Sequence, residues 1–236
     1  MKLKLLSIFP TLLFFASAFA DEAAIRQGME IKFPYTKIIS ISKTSYFGLY
    51  EVAFDDQLVY TDENMTYLFS GNIIDLQTMQ NLTKAREKHF YAISFGTLPF
   101  DLAIKNVKGK GERKLAVFSD PNCQYCKKLE KEMVGLNNVT IYIFLLPILP
   151  GSEAKSRAIW CSPDRLNAWE DHMLKGIEPQ LENTCDAMAL PNIAQHAEKL
   201  RVNVTPTLIF EDGVIKPGTL TLELLEAQLA EASGKK

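Results

Sequence analysis

The sequence is poor in the residues that metal sites and nucleic-acid-binding surfaces require. Its 236 residues include only 3 histidines and 4 cysteines, and no second Cys-x-x-Cys pair or His-x-x-x-His pair accompanies Cys123 and Cys126. A structural zinc ion takes about four such ligands, so a zinc site is disfavoured and we expect neither a metal nor another cofactor. The formal net charge of −2 leaves no basic excess, which argues against nucleic acid as a partner.

Long hydrophobic runs are equally scarce, and the one clear run stands at the start of the chain. Two lysines precede an apolar stretch from Leu5 to Phe15, and small residues follow up to Ala20. The stretch is too short to span a bilayer comfortably and ends in an Ala-x-Ala pattern, as secretory signal peptides do. We therefore expect residues 1–20 to be a signal peptide, cleaved near Ala20, and the mature protein to be exported. An uncleaved membrane anchor is the alternative, but no stop-transfer pattern follows.

Export changes how the cysteines are interpreted, because disulfides form and persist outside the cytosol. Cys161 and Cys185 lie in the second half of the chain with twenty-three residues between them. A bridge between them would stabilise the fold by about 3 to 4 kcal/mol on the chain-entropy model. We interpret this pair as a structural disulfide. A second redox pair is the alternative, although the separation places the two thiols at no shared helix start.

The remaining cysteines, Cys123 and Cys126, stand where a strand passes into a helix. Residues 114–118 form a short apolar run typical of a buried strand, and Cys126, Leu129 and Met133 recur at helical spacing. Cys123 then lies at the first helical turn, where unpaired backbone N–H groups and the helix dipole stabilise a thiolate. We predict that Cys123 is the nucleophile of a redox pair and that Cys126, one turn deeper, is the resolving thiol. A purely structural disulfide is the alternative, but so short a loop restricts the unfolded chain little.

The chain before this motif divides into a strand-rich segment and a helical one. Residues 37–70 alternate apolar and polar side chains between turn signals, which predicts an antiparallel meander after a short helix at residues 21–30. On this pattern Ile39 and Ile41 share one face. A domain of this size is marginal alone, so pairing with a second copy would stabilise it. Residues 75–88 carry apolar side chains at a spacing of three, which predicts an exposed connecting helix.

The chain after the motif predicts a mixed α/β layer. Residues 139–146 are a nearly continuous apolar run, typical of a strand that is buried on both faces of a sheet. Helical segments follow up to about residue 200. Residues 202–217 then indicate a loop, a strand, a turn and a return strand, and regularly spaced leucines indicate a closing helix.

The run Cys-Gln-Tyr-Cys at residues 123–126, together with Val-Thr-Pro-Thr at residues 204–207, resembles the thioredoxin fold. In that family the proline that matches Pro206 is cis and lies against the cysteine pair. The resemblance implies that the backbone of Thr205 pairs with an extended substrate peptide. The other substrate contacts that it implies are Pro206, Gln124 and Tyr125.

The whole mature chain further resembles the bacterial periplasmic disulfide isomerases of the DsbC type. The run Asp-Pro-Asn-Cys-Gln-Tyr-Cys-Lys-Lys at residues 120–128 is a fairly specific signature of that group. The likeness implies an α+β N-terminal dimerisation domain of cystatin-like shape at residues 21–74 and a linker helix at residues 75–90. It further implies an α/β thioredoxin-fold catalytic domain at residues 91–236, with a helical insertion that carries the second cysteine pair.

The same likeness implies a function and partners. We expect a homodimer in the periplasm, with chaperone activity, that acts on misfolded or wrongly disulfide-bonded exported proteins. Isomerisation needs a reduced cysteine pair, and the likeness points to a membrane thiol reductase of the DsbD type as the electron donor.

Three other functions stay open. A dithiol oxidase of the DsbA type shares the redox motif, but such oxidases lack the strand-rich segment before residue 75. A periplasmic holdase would bind unfolded chains without turnover, with the cysteines incidental. Reduction of oxidised single cysteines, as in DsbG-like proteins, lies between these functions.

Asp120 and the three histidines are the remaining polar candidates for a role in the chemistry. The buried acid of thioredoxin falls at about Val117 here, so Asp120 is the nearest carboxylate in sequence. We interpret Asp120 as a helix-start or turn residue, with a proton relay as the alternative. No histidine falls within the motif, and each is interpreted as a surface or hydrogen-bonded residue rather than a base: His89, His172 and His196.

Overall fold

The computed structural model describes residues 16–180 and 185–234. The chain forms two compact units, unit 1 up to Tyr91 and unit 2 from Ala92 onward. Most of the expected signal peptide, residues 1–15, lies outside the described residues. Within the part of the chain that is described, no helix is both long and apolar enough to cross a membrane.

Unit 1 is a small α+β domain built on an antiparallel meander, as the alternation of its sequence predicts. A helix precedes a four-stranded sheet of order β1-β2-β3-β4, and a short hairpin and a second helix follow. The elements are α1 (Ala16–Lys32), β1 (Ile38–Lys43), β2 (Tyr50–Phe54), β3 (Leu58–Thr61), β4 (Leu68–Phe69), β5 (Ile74–Asp75), β6 (Gln80–Asn81) and α2 (Leu82–Tyr91).

Both faces of this sheet are covered, which explains why every residue of β2 is buried. Val52 and Phe54 pack with Met29 of α1 on one face, while Ala53 and Tyr60 share a second cluster on the other. The prediction that Ile39 and Ile41 share a face is wrong. A β-bulge between Ile38 and Ser40 shifts the register, so Ile41 is buried whereas Ile39 is 44 % exposed.

The predicted connecting helix at residues 75–90 begins later than expected. Residues 74–81 form the β5–β6 hairpin, in which the Asp75 carboxylate accepts hydrogen bonds from the backbone N–H groups of Gln77 and Thr78. Asn81 then caps α2, because its side-chain oxygen accepts from the N–H of Lys84 at 2.9 Å. Short polar side chains that bond to nearby backbone therefore outweigh the apolar spacing here.

Helix α2 is attached to the sheet of unit 1 through polar contacts, and Thr83 is its one buried residue. Arg86 forms a two-pronged ion pair with Glu51 of β2, a residue that is only 4 % exposed. The hydroxyls of Thr83 and Tyr60 lie 2.7 Å apart in the interior. These bonds satisfy buried polar groups and fix the helix on the sheet.

Unit 2 is a mixed α/β layer around a five-stranded sheet of order β11-β10-β8-β9-β7. Strands β8 and β9 are parallel, and the other neighbours are antiparallel. Its elements are β7 (Ile104–Lys108), β8 (Arg113–Ser119), α3 (Gln124–Met133), β9 (Val139–Leu145), α4 (Ser152–Cys161), α5 (Arg165–Glu170), α6 (Ala189–Lys199), β10 (Thr207–Phe210), β11 (Ile215–Pro217) and α7 (Leu222–Ala232). The edge strand β7 was not assigned from the sequence, because only Ile104 in it is fully buried.

The core of unit 2 places the start of α3 at the carboxyl end of β8. Leu129 and Met133 of α3 are buried in the same cluster as the apolar residues of β8 and β9, and the rings of Phe118 and Phe144 stack at 4.8 Å. Helices α4 to α6 form the insertion between β9 and β10. Gly213 closes the turn between β10 and β11 with φ of +83°, where an added Cβ would overlap the carbonyl oxygen of Ile93.

Candidate active site

The Cys123 side chain lies at the start of α3, as its position in the motif predicts. Cys123 is the N-cap residue of this helix, with extended backbone angles, and its sulfur accepts a hydrogen bond from the backbone N–H of Cys126 at 3.3 Å. The backbone N–H of Cys123 donates to the carbonyl of Asp120 at 3.1 Å, which closes the turn before the helix. A helix N-terminus presents free N–H groups and a partial positive charge, so it favours an anionic sulfur at this place.

Cys126 occupies a different environment one turn further along. Its side chain is fully buried, whereas Cys123 is 5 % exposed. Burial raises the pKa of the Cys126 thiol to about 12, because an anionic sulfur is poorly solvated in the protein interior. Neither cysteine is bonded to another sulfur in this structure. The two thiols therefore differ in exposure although only three positions separate them.

The segment at Thr205 and Pro206 lies against the cysteine pair, as the resemblance implies. The Cys123 thiol donates to the carbonyl oxygen of Thr205 at 3.3 Å. The Thr205–Pro206 peptide bond is cis, which confirms that prediction. The contact arises because β10 pairs with β8, with Thr207 opposite Phe118.

The two residues between the cysteines face outward. Gln124 is exposed and Tyr125 is 67 % exposed. Two further apolar side chains near the site, Val204 beside Thr205 and Ile148 beside the Asp120 loop, are also exposed. The loops that flank Cys123 therefore carry exposed apolar side chains, which is typical of a place where a peptide docks.

Asp120 organises the loop that carries Cys123. Its carboxylate is fully buried and accepts hydrogen bonds from the backbone N–H groups of Asn122, Ile148 and Leu149, at 2.7 to 2.9 Å, and from the hydroxyl of Ser152. Four donors thus hold one carboxylate. This arrangement supports the interpretation of Asp120 as a turn residue and explains its burial.

His172 is a site residue that the sequence analysis did not find. It is fully buried, and its Nε2 lies 2.9 Å from the carbonyl oxygen of Pro121, two residues before Cys123. The two residues are 51 positions apart. No local signal connects them, because His172 comes from the helical insertion and Pro121 from the loop after β8.

Glu130 is a second buried polar residue on α3. Its carboxylate accepts a hydrogen bond from the indole N–H of Trp169 at 2.8 Å. Burial raises the pKa of Glu130 to about 7, against the opposing effect of that hydrogen bond. A signal for its burial was present in the sequence, since Glu130 stands in the apolar stripe of α3, four residues after Cys126.

The second cysteine pair forms a disulfide. Cys161 at the end of α4 is bonded to Cys185, and the two Cα atoms are 5.5 Å apart. The bond joins the two ends of the segment that contains α5. Among the residues that the structure describes, no group of three or more metal-ligating side chains lies close enough to hold an ion.

Comparisons with known proteins agree with this architecture. Residues 16–84 match the disulfide bond isomerase protein N-terminal domain, and residues 100–233 match the thioredoxin-like domain. A solved disulfide interchange protein from Neisseria gonorrhoeae superimposes with a TM-score of 0.55 and 37 % identity, over 59 % of this chain and 100 % of that chain.

Two curated relatives match most of the chain. A probable thiol:disulfide interchange protein DsbC from Bordetella parapertussis is 39 % identical over 207 residues, which cover 87 % of this chain and 73 % of the relative. The thiol:disulfide interchange protein DsbC of Escherichia coli is 27 % identical over 84 % of this chain and 83 % of the relative. With its α+β N-terminal domain, its thioredoxin-fold domain and its Cys-x-x-Cys pair at a helix start, the chain belongs to the DsbC family of thiol:disulfide interchange proteins.

Proposed function

We propose that the protein isomerises or reduces wrong disulfides in exported proteins, with Cys123 as the nucleophile and Cys126 as the resolving thiol. One observation carries this assignment. The two thiols share the start of α3, but only Cys123 has exposed surface, and it alone touches the Thr205 carbonyl. The names of the relatives support thiol:disulfide interchange and lend no support to a non-catalytic holdase.

The chemistry is a pair of thiol–disulfide exchanges. The Cys123 thiolate attacks one sulfur of a substrate disulfide, so that a mixed disulfide forms and the other substrate sulfur leaves as a thiolate. In isomerisation, a thiolate of the substrate then attacks its own sulfur in the mixed disulfide and releases the Cys123 thiolate. No electrons are gained or lost overall.

Reduction uses the second cysteine. The Cys126 thiol loses its proton and attacks the Cys123 sulfur, which releases the substrate sulfur as a thiolate and closes the Cys123–Cys126 disulfide. Two electrons have then passed to the substrate. The next cycle requires an electron donor, and the family resemblance supports a membrane thiol reductase of the DsbD type.

The substrate is bound by residues that surround the cysteine pair. The backbone of Thr205 binds an extended peptide beside the cysteine pair, in the manner of an added strand. Pro206 follows it in the chain, and Gln124 and Tyr125 present their exposed side chains at the start of α3. Such contacts are sequence-tolerant, which suits an enzyme for many exported proteins.

Cellular location and assembly extend this proposal. The leader at residues 1–20 directs the chain to the periplasm, and unit 1 forms a homodimer through its sheet edge. Support for the dimer comes from β4, the last strand of the sheet, where Leu68 and Phe69 are both about half exposed. An apolar edge strand exposes unpaired backbone groups to a second chain. The exposed aromatic residues of unit 1 support the chaperone activity.

Refolding of a scrambled disulfide-bonded protein tests the assignment. The purified protein should restore the native disulfides, and Cys123→Ala should abolish this activity. A Cys161→Ser/Cys185→Ser variant is the control for loss of cysteine in general. Isomerase activity that survives in Cys123→Ala would refute the mechanism.

A further inference from the structure

We propose that His172 is a positioning residue for the redox pair. Its imidazole holds the peptide unit between Pro121 and Asn122 in the orientation that places Cys123 at the start of α3. The proposal rests on the role assigned above to Cys123, and it gives the helical insertion a part in positioning that residue.

The peptide unit is held at both ends. The Pro121 carbonyl faces Nε2 of His172 at 2.9 Å, and the N–H of Asn122 donates to the Asp120 carboxylate at 2.7 Å. Because a peptide unit is planar, fixing its oxygen and its hydrogen fixes its rotation about the chain. Asp120 and His172 therefore clamp this peptide from opposite ends.

The ring of His172 is itself well fixed. It is fully buried in the turn of π-helix at Asp171–Lys175, which follows α5. Its Nε2 faces the Pro121 carbonyl and its Nδ1 lies 3.2 Å from the Ile177 carbonyl. A carbonyl oxygen only accepts hydrogen bonds, so the shorter contact requires a hydrogen on Nε2.

The clamp acts on the Cys123 sulfur through the backbone. Asn122 follows the clamped peptide in the chain, and Cys123 comes next. Rotation of that peptide would displace the Cys123 sulfur from the N–H of Cys126 and from the Thr205 carbonyl, each 3.3 Å away. Such a displacement would weaken both contacts, because hydrogen bonds weaken steeply as the angle at the hydrogen departs from linear.

Removal of the imidazole would release the peptide. Pro121 is buried, so its carbonyl would lose its partner without gaining water, and such a group tends to move until it finds a donor. The Cys123 thiolate would then be less well supported at the helix start. Because that thiolate belongs to the reduced form, the equilibrium between dithiol and disulfide would shift toward the disulfide.

Two substitutions separate hydrogen bonding from packing. His172→Leu fills similar space but has no donor, whereas His172→Gln retains an N–H group that can reach the Pro121 carbonyl. His196→Leu, on α6, is the matched control, since it removes a histidine from the same unit away from the loop. Circular dichroism and thermal unfolding establish that each variant folds.

The measurement is the equilibrium of Cys123–Cys126 with glutathione. We expect His172→Leu to shift it about tenfold toward the disulfide, which is ~30 mV for this two-electron couple, because one hydrogen bond to the thiolate is lost. His172→Gln and His196→Leu should stay within about twofold of the unmodified protein, as expected when the donor is kept. The rate of Cys123 alkylation by iodoacetamide at fixed pH should fall only in His172→Leu.

Each outcome decides between alternatives. If the unmodified pair does not exchange with glutathione, the proposed function fails and this inference fails with it. If the unmodified pair exchanges and His172→Leu matches it, only the clamp is overturned. Equal shifts in His172→Leu and His172→Gln would also overturn the clamp, since shape rather than a donor would then matter.

A measurement on the unmodified protein covers the case in which His172→Leu does not fold. Nitrogen-15 NMR of labelled histidine reports which ring nitrogens of His172 carry hydrogen. A hydrogen on Nε2 supports the clamp. An Nε2 without hydrogen overturns it, because the 2.9 Å contact with the Pro121 carbonyl could not then be a hydrogen bond.

Discussion

The sulfur of Cys123 donates a hydrogen bond to the backbone carbonyl oxygen of Thr205, at 3.3 Å, although 82 positions separate the two residues. The contact exists because β8 and β10 pair antiparallel, so the loop after β8 and the loop before β10 lie at the same end of the sheet. It places the backbone of Thr205 beside the sulfur that reacts in the proposed mechanism. A peptide aligned on that backbone would bring its own disulfide within reach of Cys123.

Cys126→Ala should trap substrate on the enzyme. Cys123 could still form the mixed disulfide, but no thiol at position 126 would remain to release it. We expect covalent complexes to accumulate at least about tenfold over the unmodified protein, because intramolecular resolution is the fast route at high effective concentration. Non-reducing electrophoresis with mass spectrometry measures them. Absence of such complexes, or their presence in Cys123→Ala, would contradict the assigned roles.

Glu130→Gln should remove a pH dependence of folding stability. The pKa of Glu130 is raised from 4.5 to about 7, mainly by burial. An acid with a raised pKa in the folded state keeps its proton where the unfolded chain has lost it. The folded state therefore loses stability as the pH rises from about 4.5 to about 7, by about 3 kcal/mol in all.

The glutamine variant keeps a carbonyl oxygen for the indole N–H of Trp169 and has no proton to lose. We expect it to match the unmodified protein at pH 5 and to be more stable at pH 8 by up to about 3 kcal/mol. Urea unfolding at both pH values measures the difference, with Glu198→Gln on the exposed side of α6 as the control. An unchanged pH profile in Glu130→Gln would show that Glu130 titrates alike in both states.

Removal of the Cys161–Cys185 disulfide should lower the stability of unit 2 without changing the redox pair directly. The bridge closes a loop with a sequence separation of 24, so its loss is expected to cost about 3 to 4 kcal/mol on the chain-entropy model. Denaturant unfolding of Cys161→Ser/Cys185→Ser measures this, and the glutathione equilibrium of Cys123–Cys126 serves as the internal control. A redox shift of tenfold or more would instead show that the bridge supports the redox pair, either as a thiol partner or through His172, which lies between Cys161 and Cys185 and contacts Pro121.

A lysine in the edge strand of unit 1 should break the proposed dimer. Leu68→Lys places a charge on β4, and charged residues on an edge strand oppose the addition of another strand. We expect at least about tenfold weaker association, since desolvating an unpaired charge costs more than 1.4 kcal/mol. Light scattering across a concentration series measures this association. Leu76→Lys, at an exposed position outside the four-stranded sheet, is the control; dissociation in both variants, or in neither, would argue against the β4 edge.

Periodic and motif-bearing segments could be predicted from the sequence. The meander of unit 1, the strand before Cys123 and the start of α3 at the cysteine pair follow from local patterns. The prediction of a cis bond before Pro206 depended on the family resemblance, because only a known fold indicates that this loop lies near the cysteines. Predictions were wrong where a short polar side chain redirected the backbone, as Asp75 and Asn81 do before α2.

The meander of unit 1, the strand and helix around Cys123 and Cys126, and the family were thus determined by the sequence itself, because these properties depend on near neighbours and short motifs. Only the tertiary structure decided which distant groups share the interior. It placed His172 against Pro121 and Glu130 against Trp169, across 51 and 39 positions. Contacts of this kind depend on how the packed elements fill space. The periodicity of a single segment does not indicate which distant segment packs against it.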